Sequence, residues 1–401
     1  MGSFVVSDVP LVPKPEHAPE VSVVLPCLNE ADTVGICVRK ARNALEAAGI
    51  DGEVIVADNG SGDDSARVAA GEGARVVRVS EKGYGNALMG GIGASRGRFV
   101  IMADADDSYD LGDVPRFVER LRSGDDLVQG CRLPSGGGTI RPGAMPFLHR
   151  WLGNPALSWV ARSMFGVPVA DVYCGMRGFS RALYDRLGLR CTGMEFATEM
   201  VVRAGMQRAR TSQIPIVLHP DGRRTGAPHL RTIRDGWRTL RFFLIYSPRW
   251  LFLYPSLLLV ALGLVGYGLA LTGATIGPAT IGAHTLLVSS LAILLGHQAA
   301  FFGVAAKAFG VSEGFLEADR RTKRLLALAK VEYGLLAAAA CLAGGIGFLV
   351  MTVERWARLD FGPLDYGTTL RWVIPAVTLI AIAAQTVLWS FFIGLLGMKR
   401  R

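Results

Sequence analysis

Residues 99–110 read FVIMADADDSYD: five apolar residues run without interruption into a segment holding four aspartates. A short apolar run with no polar alternation is the signature of a strand buried on both faces, and an acid-rich turn at its end marks where the chain leaves the core. The pattern occurs twice upstream. VSVVLP (21–26) opens into CLNE, and EVIVA (53–57) opens into DNGSGDDS (58–65), with a helix-like segment over 31–48 between them. A further run, LVQG (127–130), continues the alternation. Strand, helix, strand in this order predicts an α/β domain with a largely parallel sheet, in which ligands bind beyond the carboxyl ends of the strands. PCLNE, DNGSGDDS and DADDSYD therefore mark the expected site.

One D-x-D pair is a weak signal alone. At the end of a buried strand and facing other acidic loops, Asp104 and Asp106 read as a hard-cation site for Mg²⁺ or Mn²⁺ on a diphosphate. Asp110 and Asp113 suit helix capping better. The segment EKGYGNALMGGIGASRG (81–97) has many glycines but lacks the G-x-G-x-x-G spacing after the first strand, so a dinucleotide fingerprint is rejected. Its small residues predict a helix packed close to the sheet, with Lys82 left near the nucleotide.

The chain has 401 residues, is 50% apolar and carries a formal charge of +9. Charged residues crowd the first 250 positions, which implies two regions facing different solvents. Apolar stretches near 251–272, 283–309, 333–353 and 373–396 are each long enough to cross a bilayer. Basic residues cluster in the 310–332 loop (Arg320, Arg321, Lys323, Arg324, Lys330) and the tail (Lys399, Arg400, Arg401). The positive-inside rule then places the soluble domain and both termini in the cytoplasm, against a weaker contrary signal from Arg355, Arg358 and Arg371. Before the first span, Leu230, Ile233, Trp237, Leu240 and Leu244 form an apolar stripe beside Arg231, Arg234, Arg238 and Arg241, the pattern of a helix lying in the headgroup plane. Lys307 is placed to snorkel, and His297 to make an interhelical hydrogen bond. The six cysteines show no metal-ligand spacing, which argues against a zinc site or a disulfide framework. Residues 1–20 lack the features of a signal peptide and read as a disordered leader. The expected divisions are that leader, a soluble domain over 21–228, the interface helix over 229–248 and a four-helix membrane domain over 249–401.

The order PCLNE, DNGSGD, KGYGNAL, DADDS, GCR, DVYCGMRGFSR resembles the family 2 glycosyltransferases of the GT-A fold, a Rossmann-like mixed sheet, and within them the dolichyl- and polyprenyl-phosphate sugar synthases. The likeness covers residues 21 to about 250. It implies that Pro26, Asn29 and Glu30 contact the nucleotide of a nucleotide-sugar donor of UDP-glucose or GDP-mannose type, and Asp58 its base. Asp104 and Asp106 would hold the metal and diphosphate, with Ser108 completing the metal shell. Arg132, and Arg150 with Asn154 in HRWLGN (149–154), match positions that hold the phosphate of a polyprenyl phosphate acceptor. Asp171 and Arg177 line the sugar and acceptor site. Two departures stand out: Asn59 where a second aspartate is frequent, and RRTGAPHL (223–230) where the family has R-x-x-G-x-S-K-L, which leaves Arg223 and Arg224 both open as phosphate ligands.

The chemistry is consistent with these residue types. A divalent cation held by carboxylates stabilises a leaving nucleoside diphosphate without proton transfer. The attacking phosphate oxygen is already ionised near neutral pH, so bringing two anions together is the harder task, and arginine forks address it. Asp171 is open as base, orienting group or sugar contact. One displacement inverts the anomeric centre. The segment 145–166 (MPFLHRWLGNPALSWVARSMFG) reads equally as a membrane-dipping helix or a core helix. The rivals are a processive polysaccharide synthase, for which YSPRW (246–250) lacks the first residue of Q/R-x-x-R-W, and a non-catalytic scaffold or lipid transporter. The arginines lie beside the spans rather than among aromatics on a soluble sheet, which argues against nucleic acid. Motifs do not set the donor or the oligomeric state, and a homo-oligomer is compatible with them.

Overall fold

The computed structural model describes residues 18–223, 232–276, 279–313, 316 and 320–396. Arg224, most of the leader, Leu230, Arg231 and the basic tail lie outside the described residues, as do the side chains of Ile233 and Arg234. The chain forms two compact units, Met1–Phe242 and Phe243–Arg401.

In the first unit the chain runs β1 (Val21–Cys27), α1 (Val34–Ala47), β2 (Gly52–Asp58), α2 (Ser65–Gly71), β3 (Arg75–Arg78), α3 (Tyr84–Ala94), β4 (Phe99–Met102), α4 (Val114–Arg122), β5 (Leu127–Cys131) and β6 (Thr139–Ile140). It continues through α5 (Asn154–Phe165), β7 (Arg177–Ser180), α6 (Arg181–Leu187), α7 (Glu195–Met206), β8 (Thr211–Pro215) and β9 (Val217–Leu218). The main sheet has the order β3-β2-β1-β4-β7-β5-β8. It is parallel except for β7, which runs antiparallel between β4 and β5.

The apolar runs are buried on both faces as read: Val21 to Leu25 along β1, with Ser22 buried among them, Ile55 to Ala57 in β2, and Phe99 to Met102 in β4. Helix α1 covers one face with Val34, Cys37, Val38, Ala41 and Leu45, the three- and four-residue recurrence of an amphipathic helix. Helix α3 packs closely because Gly91 sits where a Cβ would lie 2.6 Å from Val24 Cγ1 and 3.0 Å from Ala57 Cβ. Overpacking such a spot costs about 1–3 kcal/mol, so the glycine sets the helix's distance from β1 and β2.

The largely parallel sheet that the apolar runs predict is present, with β7 as its antiparallel strand. Inserting β7 has a consequence for the site: its Met102↔Arg177 pairing lays the amino end of β7 beside the carboxyl end of β4. The segment 171–177 is thereby returned to the D-x-D loop.

Helix α8 (Thr232–Tyr246) follows β9. On it Trp237, Arg238 and Arg241 are exposed while Phe242 is buried. The second unit holds α9 (Tyr254–Thr272), α10 (Ala283–Ser312), α11 (Arg320–Leu328), α12 (Val331–Ala357) and α13 (Tyr366–Leu396). Four helices are long and apolar enough to span a bilayer, the first of them counted from Arg249. Close packing rests on small residues: Gly263 lies against Ser289 O, Gly296 against Ser256 O and Gly345 against Ala376 O. Polar links cross between helices. Tyr267 Oη hydrogen-bonds Ser290 Oγ at 2.7 Å and Thr378 Oγ1 at 3.0 Å, and His297 Nε2 meets Thr386 Oγ1 at 3.1 Å. Lys307 Nζ donates to Thr322 Oγ1 at 2.9 Å.

Candidate active site

The loops after β1 and β2 are stitched to each other. Pro26 lies one residue before the end of β1, opposite Ala57, and Asn29 follows in the left-handed region at φ 59°, a conformation that asparagine tolerates better than most residues. Asn29 Oδ1 accepts the Gly62 N–H at 2.8 Å, its own N–H donates to Ser61 Oγ at 3.0 Å, and Asp58 Oδ1 accepts the Ser61 N–H at 3.0 Å. The Asn59 departure has a physical reason. Its Nδ2 donates to Val79 O and Glu81 O at 3.1 and 2.7 Å, while its Oδ1 accepts the Gly83 N–H at 2.7 Å. A carboxylate cannot donate, so aspartate there would face two carbonyl oxygens. Lys82 Nζ donates to Asn59 O at 2.8 Å and to Gly60 O at 3.2 Å, which holds the ammonium at the β2 loop.

Asp104 and Asp106 lie in the loop that follows β4, directly beyond its last residue, Met102. Tyr84 Oη donates to Asp104 Oδ1 at 2.8 Å. Burial, then the charge of Asp106, pushes the Asp104 carboxyl up to about 6, against the pull of the Tyr84 bond and of Arg132 and Arg177. Ser108 donates to Asp106 Oδ1 through its N–H at 3.0 Å and its hydroxyl at 2.6 Å, fixing that carboxylate while keeping the hydroxyl lone pairs. Asp110 caps the following turn by accepting the Gly112 N–H at 2.9 Å. Among the described residues no group of three His, Cys, Asp or Glu side chains is placed to hold a metal. Two carboxylates nevertheless fit Mg²⁺ or Mn²⁺, which ordinarily takes one or two protein carboxylates and completes its shell with substrate phosphates. Such a cation would relieve both the burial that raises Asp104 and the repulsion that Asp106 adds to it.

The returning segment closes the site from the β7 side. Gly175 touches Asp104 so closely that a Cβ would lie 2.5 Å from Asp104 Oδ2, and its N–H donates to Tyr109 Oη at 2.9 Å. Asp171 and Arg132 form a buried bidentate pair, with Nε 2.8 Å and Nη2 2.9 Å from the two carboxylate oxygens. The Arg132 and Tyr173 N–H groups also reach that carboxylate. Arg177 is fully buried, donating to Cys174 O and Ala197 O, with Nε unpaired among the described residues. Its charge acts on Asp104 from within the core.

On the opposite rim, Arg223 pairs with Asp221 and approaches Glu30 Oε1 at 3.4 Å. Glu30 is 8% exposed. Burial first, then Asp106 and Asp221, pushes its carboxyl up to about 7, opposed by Arg223 and Thr33. Asn29, Glu30, Ala31, Asp32, Asp63 and Arg223 line a polar cavity of about 250 Å³. The 219–222 segment is tied to the D-x-D loop by His219 N–H to Ser108 O and Gly222 N–H to Asp106 O, both 2.9 Å.

The expected nucleotide and metal residues thus converge at the ends of β1, β2 and β4. Arg150 and Asn154 stand apart. Arg150 lies 5.2 Å from the Trp151 ring centroid with its Nε unpaired among the described residues, and Asn154 Nδ2 contacts Met145 Sδ at 3.4 Å. The turn carrying them is not core: Phe147, Leu148, Trp151, Leu152 and, on α5, Trp159 are each more than half exposed. Tyr84 and Tyr109 are the residues the motifs did not single out. The only signal for Tyr84 is its place in KGYG; Gly83 and Gly85 flank it because the backbone of 191–193 passes too close for a Cβ.

Comparison with known proteins finds a family match in each part of the chain. Residues 22–188 match "Glycosyl transferase family 2", and residues 304–397 match "Glycosyltransferase family 2 C-terminal transmembrane region". The chain is 35% identical over 386 residues to the low-salt glycan biosynthesis hexosyltransferase Agl6 of Haloferax volcanii, covering 95% of this chain and 90% of that protein. A dolichyl-phosphate hexose transferase of the same organism is 30% identical over 49% of this chain and 82% of its own length. An undecaprenyl-phosphate 4-deoxy-4-formamido-L-arabinose transferase of Klebsiella pneumoniae is 30% identical over 49% of this chain and 59% of its own.

Proposed function

This chain is a family 2 glycosyltransferase and an integral membrane protein, and from that premise we propose that it moves one sugar from a nucleotide sugar to a polyprenyl phosphate at the cytoplasmic membrane face. The observation that carries the reading is the convergence of Asp104 and Asp106 with the 171–177 segment at one strand end. The acceptor assignment is supported by the dolichyl- and undecaprenyl-phosphate relatives and by the exposed aromatic turn around Arg150, a suitable surface for a prenyl chain beside its phosphate.

In this reading the loops after β1 and β2 seat the nucleotide, with Asp58 at the base and Asn29 and Lys82 fixing the cradle. Asp104 and Asp106 would hold Mg²⁺ or Mn²⁺, which supplies positive charge to the leaving diphosphate. Tyr84 and Ser108 aim the two carboxylates. A phosphate oxygen of the lipid attacks the anomeric carbon, the bond to the diphosphate breaks, and the configuration inverts. Arg150 is the cation available to draw the lipid phosphate in, while Arg223 is held on the rim by Asp221 and Glu30. Arg132 is already paired, so it acts together with Asp171 as a fixed dipole that shapes the acceptor side.

Arg150→Ala tests the acceptor side. The reading requires the KM for polyprenyl phosphate to rise at least about tenfold, the loss of one charge-assisted phosphate contact, with the donor KM unchanged. An unchanged lipid KM would remove Arg150 from the acceptor site.

A further inference from the structure

The D-x-D loop owes its shape to a residue that does not face the site. Asp107 sits in the left-handed region at φ 60°, which aspartate enters only at some cost. That reversal directly after Asp106 lets both the N–H and the hydroxyl of Ser108 turn back onto Asp106 Oδ1. Asp107 is held from behind by one face of α1 and the residue capping it. Thr33 lies against Gly222, which itself abuts Asp107 Cβ; the Cys37 thiol lies against the Asp107 backbone; and Lys40 Nζ donates to Asp107 Oδ1 at 2.8 Å. Positions 33, 37 and 40 fall on one helical stripe. Of these groups only Lys40 offers a charge to the Asp107 carboxylate, and the pair is partly shielded, with side-chain exposures of 41% and 21%.

We propose that Lys40 is a positioning residue for the cation site: through its ion pair with Asp107 it holds the reversed turn that aims Asp106 towards the position of the diphosphate. The inference rests on the reading of Asp104 and Asp106 as the cation ligands. Lys40 touches neither the cation nor the substrate, so its removal leaves the ligands in place and loosens their orientation.

The test is Mn²⁺ binding to the full-length, detergent-solubilised protein, followed by electron paramagnetic resonance with saturating UDP and, separately, GDP, without turnover. K40M is expected to weaken Mn²⁺ binding roughly two- to fivefold, the ratio that a partly exposed ion pair supports. D107N should weaken it equally, the K40M/D107N double variant no further, and K40R should restore it. Melting temperatures within about 2 °C of wild type show that the fold is intact, as expected for a pair at the surface. If K40M binds Mn²⁺ as tightly as wild type, or if the two single effects add fully, the positioning role is overturned while the cation site stands. If wild type retains Mn²⁺ with neither nucleotide, the cation reading itself fails and this inference falls with it.

Discussion

The Arg132–Asp171 pair makes a quantitative demand. Asp171 is fully buried and Arg132 8% exposed, and the guanidinium meets both carboxylate oxygens. Asp171→Asn keeps an oxygen for only one of the Arg132 and Tyr173 N–H groups, which meet different carboxylate oxygens, and leaves the arginine charge buried without its counter-ion. Breaking a buried pair from one side costs about 3–5 kcal/mol. In a unit of this size each kcal/mol lowers the melting temperature by roughly 2–4 °C, so the variant should melt roughly 6–20 °C below wild type. R132M/D171N removes both charges and should recover about 2 kcal/mol or more relative to the sum of the single changes, the coupling expected of residues in contact. Thermal unfolding of the full-length protein in detergent, followed by near-ultraviolet circular dichroism, measures both. If D171N melts within about 2 °C of wild type, or if the single effects simply add, the pair is not closed in the resting enzyme and Arg132 is free to take the lipid phosphate.

Glu30 should leave a pH signature of opposite sign to that of a salt-bridged carboxylate. Its carboxyl is held at about 7 against an ordinary 4.5, so the folded state keeps a proton that the unfolded chain releases, and stability is lost as pH rises through that window. Glu30→Gln removes this loss: the two proteins should melt alike at pH 4.5, with the variant ahead at pH 8, and parallel melting curves at both pH values would contradict the assignment. Asn59→Asp should destabilise the first unit by about 1–3 kcal/mol, because two carbonyl oxygens lose their donor; unchanged thermal unfolding would show that the latch on the 79–83 loop carries no weight.

The parts legible in the sequence are those where local pattern and tertiary role coincide. Strands β1, β2 and β4 carry apolar runs, interrupted in β1 by the buried Ser22, because both faces are covered, and acids follow each run because the site lies there. The four membrane helices are legible for the same reason: their solvent is uniform along the whole element. Strand β3, RVVR, is only partly buried and is framed by arginines, so no apolar run announces it. Strand β7, RGFS, contains one large apolar residue, and its place between β4 and β5 is set by pairing with residues about fifty to eighty positions away. That pairing also carries the segment 171–177 to Asp104. The Arg132–Asp171 bond spans 39 residues, so the motifs could mark both groups as functional while giving no sign that they neutralise each other. The 145–166 segment, open between membrane and core as a sequence, shows its largest apolar side chains exposed over 147–152, while Ala161 and Phe165 are buried.

The central claim is single transfer to a lipid phosphate. The most direct measurement is to incubate the purified full-length protein with labelled UDP- and GDP-sugars, Mg²⁺ or Mn²⁺ and polyprenyl phosphate, and to size the lipid product by mass spectrometry beside Asp106→Ala. The account predicts a lipid carrying one sugar through a phosphodiester, with transfer reduced roughly a hundredfold or more in the variant. A growing polymer on one acceptor, or equal transfer by wild type and Asp106→Ala, would contradict it.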